Sequence, residues 1–329
     1  LAFFSGNRFS MFLAPLAGVG LGFIIFYPLY HLFKYLKIDE KFVDIVLPAI
    51  IFILFFTTAN SITAYNIVLP PSIPTQIVNG FIDIKEKLPK GSPVFTWWDF
   101  GYALMDIGEF ATYHDGGAHG ADRSYFSAKA FVIDDQKKMY NLISAIDNYK
   151  FKEINKMLDD NKSANKVVES LLNYNGKPKN DNIFVLYTAD MIGKFGALSF
   201  FGEWDFETKS SKPNHYQGIN CTEIKGNFLK CENAIIDMEK GIINGQIPIK
   251  RVVFAQNGKI AQKAEFPHES DINIQLLIVD KQIIGVYVLN EKVYKSNFNQ
   301  MYLLGEYDVE LFEEIYNDFP HTRAFRLKK

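Results

Sequence analysis

Residues 96–102 read TWWDFGY, which sets Trp97 and Trp98, two of the chain's three tryptophans, beside the carboxylate of Asp99. Indole N–H groups only donate hydrogen bonds and an ionised carboxylate only accepts them. Together they complement a hydroxyl, which donates once and accepts twice, so the cluster suits recognition of a Ser or Thr side chain. The same residues equally suit a packed corner, with two large rings in the core and Asp99 capping the next turn. A second polar group follows at His114, Asp115, His119 and Asp122, around Gly116-Gly117. A metal-dependent hydrolase could be built on such donors, but the spacing is loose and the glycine pair reads as a turn, so no metal site is expected here. Cys221 and Cys231, the only two cysteines, flank Lys225-Gly226-Asn227. They can pair as a disulfide in an oxidising compartment or stay free, and with no second Cys/His pair at ligand spacing a zinc site is not expected.

The elements that must position these residues begin with two apolar runs. Residues 11–30 carry no charge, which is long enough for a bilayer-crossing helix, and Gly and Pro are common in such spans. Residues 46–59 form a second run, extended by Val43, Ile45, Ile62 and Ala64 and ended by Asp44. The reading is two transmembrane helices, about 11–35 and 43–64, although a buried core helix is the alternative for the second. Lys34, Lys37 and Lys41 between them place that loop in the cytoplasm and everything after about Asn66 on the opposite side. A signal peptide is not expected, because the first run has no cationic start beyond Arg8 and no small-residue cleavage site. Formal net charge is −2 and the lysines are dispersed among acids, which argues against a nucleic-acid partner.

Pro70, Pro71 and Pro74 break the chain into a linker and a short helix before about Lys90. Residues 136–174 are helical in pattern, with Met139, Leu142, Ile143, Ile146, Ile154, Met157 and Leu158 at three- and four-residue spacing. Residues 183–187 read as a short buried strand and 190–201 as a helix. From 204 to 290 the signal turns to strands, with Asn244-Gly245 and Asn257-Gly258 as hairpin turns and a further hairpin formed by 272–279 and 283–289. A final helix is predicted over 307–316, with Asp308 as its N-cap. The expected domains are 1–66 (two membrane helices), 67–203 (a helical core with the Trp-Trp-Asp motif), 204–295 (a β-rich insertion) and 296–329 (a helical return to the core). The fold class is two transmembrane α-helices followed by an α+β domain.

TWWDFGY, HDGGAHGAD at 114–122, NRFSMF near the start, MIGKFGAL at 191–198 and MYLLGEYDVELF at 301–312 resemble the C-terminal half of the PglB-type bacterial single-subunit oligosaccharyltransferases. The resemblance runs the whole chain. It implies a multi-pass protein of the bacterial inner membrane with a periplasmic C-terminal domain, of which the abrupt start at Leu1 leaves only the last two spans. The implied reaction moves a preassembled glycan from a polyprenyl-diphosphate lipid to the Asn of an Asp/Glu-x-Asn-x-Ser/Thr sequon. Its partners are the acceptor polypeptide, the lipid-linked oligosaccharide and the bilayer. The resemblance implies acceptor binding by Trp97, Trp98, Asp99, Met191, Lys194 and Leu198, and donor binding by Arg8, Tyr102 and His119. Lys194 departs from the pattern that Met191 begins, which puts a methyl contact with threonine in doubt and lets Lys194 pair with Asp99 or a nearby acid instead. The family's divalent cation, Mg or Mn, takes acids outside this chain, so no catalytic residue is assigned here and the chain alone is expected to be inactive. Asp159-Asp160-Asn161-Lys162-Ser163 is itself an acidic sequon and makes Asn161 a candidate for self-glycosylation; Asn220-Cys221-Thr222 is a plain one. The competing reading is a non-catalytic, membrane-anchored periplasmic binding or sensor module.

Overall fold

The computed structural model describes residues 7–59, 73–118, 120–160 and 163–329. The chain divides into two units, residues 1–72 and 73–329.

The first unit is a pair of helices, α1 (Asn7–Tyr35) and α2 (Glu40–Ala59). The Lys41 N–H donates to the Asp39 carboxylate at 2.8 Å, which caps the start of α2. Val43 and Leu47 are buried, while Leu16, Val19, Phe23, Ile24, Phe52 and Ile53 are exposed. Both helices fall where the apolar runs predict them. Among the described residues, however, no helix is long and apolar enough to cross a membrane. The two expected spans, about 11–35 and 43–64, are therefore not supported. Polar residues interrupt the runs: Tyr27, Tyr30 and His31 in α1, and Glu40, Lys41 and Asp44 in the first turns of α2. The end of the second expected span, from residue 60, lies outside the described residues.

In chain order, the second unit opens with α3 (Thr75–Lys85), β1 (Pro93–Phe95), a 3₁₀ turn at Trp98–Phe100, α4 (Gly101–Asp106) and β2 (Ala111–Thr112). Then come α5 (Ala121–Val132), α6 (Gln136–Asp160), α7 (Ala164–Leu172), β3 (Phe184–Thr188) and α8 (Met191–Gly202). The helical pattern expected over 136–174 is thus two helices, and α6 itself breaks at Lys150 (φ 60°, ψ 158°). Short strands follow: β4 (Gln217–Gly218), β5 (Cys221–Lys225), β6 (Phe228–Cys231), β7 (Ala234–Asp237), β8 (Ile242–Ile243) and β9 (Ile247–Pro248). Longer ones come next: β10 (Arg251–Gln256), β11 (Lys259–Glu265), β12 (Asn273–Val279) and β13 (Gln282–Leu289). The chain ends with α9 (Glu291–Lys295), a π-helical turn at Phe298–Leu304, β14 (Phe312–Asp318) and β15 (Thr322–Leu327).

The sheet that matters for the site has the order β14-β15-β3-β1-β2. β1 pairs in parallel with β2 on one side and β3 on the other, so it sits where the chain's connections diverge. Alternate residues serve opposite faces. Val94, Phe184, Leu186 and Ala324 pack with Ile77, Phe81 and Ile84 of α3. Phe95, Val185, Tyr187 and Phe325 pack with residues of α5, α6 and α8, among them Phe131, Met139 and Phe195. A strand covered on both faces is apolar throughout, which is why β3 is readable as the run IFVLY. β1 and β2, at three and two residues, are too short to show any period. The helical core is therefore an α/β layer structure whose central strands the pattern does not announce.

The helix expected over 307–316 is not formed. Asp308 does cap a single turn, accepting from the Glu310 N–H at 2.8 Å, but the chain then enters β14 and turns back as β15. The return of residues 296–329 to the core is a π-helical turn followed by a hairpin. β15 pairs antiparallel with β3 and completes the sheet. Tertiary pairing overrides the local helical pattern here. Arg323 is fully buried in this hairpin, with its Nε 2.5 Å from Glu314 Oε1 and its Nη1 donating to the carbonyls of Gly258 and Tyr302.

Strands β4 to β13 form two further sheets. One sheet has the order β11-β10-β12-β13-β4 and the other is the meander β5-β6-β7-β8-β9. The Asn257-Gly258 turn joins β10 to β11 with both residues at positive φ, 49° and 72°, as that hairpin type requires. Cys221 and Cys231 face each other across β5 and β6 and form a disulfide. Where the insertion meets α9, the Arg251 guanidinium lies over the Tyr294 ring at 4.2 Å and its Nη1 donates to Glu291 Oε2 at 2.5 Å and Asn273 Oδ1 at 2.8 Å.

Candidate functional site

Ligands of open α/β sheets bind in the crevice beyond the carboxyl ends of the parallel strands, where the strand order reverses. In this chain three segments leave those ends together. Thr96 to Asp99 follow β1, Tyr113 to Ala118 follow β2, and Ala189 and Asp190 follow β3 and lead into α8. The Thr96 hydroxyl donates to the Leu186 carbonyl at 2.9 Å and ties the first exit to the third.

Asp99 and Lys194, separated by most of a hundred residues, meet here. Lys194 Nζ lies 3.1 Å from Asp99 Oδ2 and 2.5 Å from Asp190 Oδ2, and 5.3 Å from the centre of the Phe100 ring. Asp190 is fixed from its other oxygen, which accepts from the Thr188 hydroxyl at 2.6 Å. Burial pulls the Lys194 amine down, but the hydrogen bond and charge of Asp190, and then of Asp99, outweigh it and hold its pKa above the ordinary lysine value. Lys194 thus stays a cation between two carboxylates. The ion-paired Oδ2 of Asp99 is buried, while the side chain as a whole keeps partial exposure, which leaves the rest of the carboxylate to face incoming groups. Such a carboxylate accepts from a hydroxyl, while the ammonium beside it balances its charge. The expectation that Lys194 would pair with Asp99 or a nearby acid is met, with both at once.

The tryptophans divide their work. Trp97 is core: its ring stands edge-on to buried His114 at 5.2 Å and tilted against Phe201 at 6.0 Å. Trp98 is only partly buried and packs against the same cluster. Met191 and Leu198 are fully in the core. They shape α8 from behind, while Lys194 is the member of the motif at the crevice.

Tyr102 is exposed, and its ring lies over the Gly116-Gly117 turn; a Cβ on Gly116 would meet the ring at 2.7 Å. That turn is held by Asp115, whose Oδ1 accepts the N–H groups of Gly117 (2.8 Å) and Ala118 (3.0 Å) and whose Oδ2 accepts from the Thr112 hydroxyl (2.9 Å). Asp115 is a turn-forming residue and His114 a packing residue, its Nε2 3.2 Å from the Ser124 hydroxyl. Among the described residues no group of three or more His, Cys, Asp or Glu side chains is placed to hold a metal ion. His119, the Arg8 side chain and Asn161 lie outside the described residues.

The glycine that closes TWWDFG has a steric reason. A Cβ on Gly101 would run into Asp115, with the backbone Cα of Asp115 only 2.6 Å away. Gly101→Ala is expected to destabilise the second unit by about 1–3 kcal/mol, the range for overpacking against a backbone that cannot yield. Thermal unfolding measures this, and an unchanged Tm would show that the two loops do not press on each other.

Sequence reasoning missed Asp190 and Thr188 as parts of the site. The Asp190–Lys194 spacing of four on a helix was the available signal.

Residues 90–208 match the family model described as the STT3/PglB/AglB core domain. The whole chain is similar to the undecaprenyl-diphosphooligosaccharide–protein glycotransferases of Campylobacter jejuni. Identity is 21% over 355 residues for both strain RM1221 and serotype O:2, covering 100% of this chain and 49% of the relative. The chain thus spans about half the length of the curated relatives it matches. Its fold is similar to the crystal structure of the C. jejuni PglB C-terminal domain, with a TM-score of 0.61 at 19% identity over 77% of this chain and 100% of that one. The recognition carried by TWWDFGY and its companion motifs therefore stands.

Proposed function

We propose that this chain is the acceptor-recognition part of an oligosaccharyltransferase. It presents a polypeptide sequon, Asp/Glu-x-Asn-x-Ser/Thr, to a glycan carried on polyprenyl diphosphate. The observation that carries the reading is the Asp99–Lys194–Asp190 cluster at the carboxyl ends of the parallel strands. Asp99 accepts the Ser or Thr hydroxyl proton, Lys194 fixes the carboxylate that does so, and Trp97 and Trp98 form the apolar wall. Met191 and Leu198 set the position of α8.

Tyr102, with Arg8 and His119, serves the lipid-linked donor. A phenol at the rim, an imidazole and a guanidinium are all donors suited to diphosphate oxygens. In this reading the divalent cation and the activation of the acceptor amide belong to acids outside this chain, which alone binds acceptor and transfers nothing. The lipid-linked donor places the protein at a membrane, the bacterial inner membrane, with the second unit on the periplasmic side. Asn161 is a self-modification site in the same reading.

The test compares peptides in the intact protein with a lipid-linked oligosaccharide. Transfer to Asp-x-Asn-x-Thr is expected to exceed transfer to Asp-x-Asn-x-Val by about 10⁴-fold, because a site built for a hydroxyl is left with unpaired polar groups when it is missing. Equal transfer to both would remove the hydroxyl reading. A binding or sensor module would transfer to neither.

A further inference from the structure

A cavity of about 420 Å³ opens beside the recognition cluster. Its walls are mostly aromatic: Tyr125, Phe126, Phe200, Phe201, Trp204 and Phe206. The one carboxylate on its lining is Asp122, whose Oδ2 accepts from Asn155 at 3.1 Å. The cavity adjoins the site already described through Phe201, which packs against Trp97 and lines the cavity.

Helix geometry links the two places. Lys194 and Phe201 are seven residues apart on α8, two turns along one face, which separates them by about 10.5 Å. Exposed Ala197 lies between them and leaves room for a peptide backbone to pass. Three residues of peptide in the polyproline II conformation cover about 9 Å and, at three residues per turn, return a side chain to the same face. A chain whose hydroxyl residue rests on Asp99 therefore brings its third following side chain to the cavity mouth. The carboxyl-terminal direction is the one available, because the acceptor Asn, two residues before the hydroxyl, must point to catalytic groups that this site does not contain.

We propose that the Tyr125–Phe201–Phe206 cavity is a specificity subsite for an aromatic side chain on the acceptor polypeptide, three residues after the sequon hydroxyl. An indole fits best: its body matches the aromatic walls, and its N–H has a carboxylate acceptor in Asp122. The proposal rests on the acceptor-recognition reading above and adds a second anchor to it.

The experiment measures kcat/KM of the intact protein for Asp-x-Asn-x-Thr-x-x-X peptides with X as Trp, Leu or Ala. Trp is expected to exceed Ala by about tenfold, equivalent to about 1.4 kcal/mol, through KM, with Leu between them. Ala121→Phe, at an exposed cavity-lining position, fills the space without removing a wall. It is expected to abolish the Trp preference while the Ala peptide is transferred as before. Asp122→Asn is expected to narrow the gap between Trp and Leu. Equal kcat/KM for all three peptides in the unmodified protein overturns the proposal, as does a Trp preference that survives Ala121→Phe. Failure of the unmodified protein to transfer to any of them overturns the acceptor reading itself, a result distinct from transfer without preference.

Discussion

Asp99→Ala is expected to lower kcat/KM for an Asp-x-Asn-x-Thr peptide by about 10- to 100-fold, most of it through KM. The magnitude follows from losing one hydrogen bond between a hydroxyl and a charged acceptor, about 1.5–3 kcal/mol. The preference for Thr over Val at the hydroxyl position should shrink in parallel, because the polar group that penalised Val is gone. Asp99→Asn separates the two roles of the residue. It keeps the shape and one acceptor oxygen but removes the charge that Lys194 holds at 3.1 Å. An intermediate loss is expected for it. Lys194→Ala should raise KM without abolishing transfer, since Asp99 would keep its place on the turn after β1 while losing its cation. Unchanged kinetics in Asp99→Ala would mean that the tryptophans and the carboxylate are packing alone.

The largest stability effect is expected at Glu291. Burial raises its carboxyl pKa, but the Arg251 guanidinium, then Lys250 and Lys295, more than reverse this and hold it at about 2. Arg251 is itself buried, so Glu291→Ala leaves its guanidinium with only the exposed Glu265 carboxylate, 3.5 Å from its Nε, as counter-charge. The cost is about 3 kcal/mol, at the low end for breaking a buried pair because Glu291 keeps some exposure. Differential unfolding should show Tm falling by about 6–10 °C. The sign with pH follows from the lowered pKa. The stability from Glu291 is fully present above the unfolded carboxyl value of about 4.3, and it is lost as pH falls from there towards 2. The Glu291→Ala protein should therefore lose less stability than the unmodified protein across that window. Parallel acid unfolding curves for the two would contradict the assignment.

How much of this was legible in the sequence varies with physical cause. Features set by local rules were readable. The Asn257-Gly258 hairpin is one, because only residues tolerant of positive φ make that turn. The buried β3 strand is another, because a sheet covered on both faces demands an unbroken apolar run. The disulfide was an open alternative, and the facing register of β5 and β6 decides it. Features set by distant partners were not readable. Residues 307–316 carry a helix-like start at Asp308, yet the open edge of β3 claims the following segment as a hairpin. β1 and β2 are held by pairing, β1 with β3 and β2 with β1. In the site, the motif names Asp99 and Lys194, but nothing local shows that Lys194 joins Asp99 to Asp190, or that Met191 and Leu198 face inward. The apolar runs gave the two helices of the first unit, but among the described residues no helix is long and apolar enough to cross a membrane.

The ion pair between Asp99 and Lys194 also has a consequence for biogenesis. Its two halves are translated nearly a hundred residues apart, and β3 lies between them in the sequence. The complete Trp-Trp-Asp motif therefore emerges from the ribosome with its carboxylate unrestrained, and acquires its orientation only when β3 docks beside β1. A chain that ends before α8 therefore carries the Trp-Trp-Asp residues without the cation that holds Asp99, so this ion pair doubles as a report that the sheet has closed.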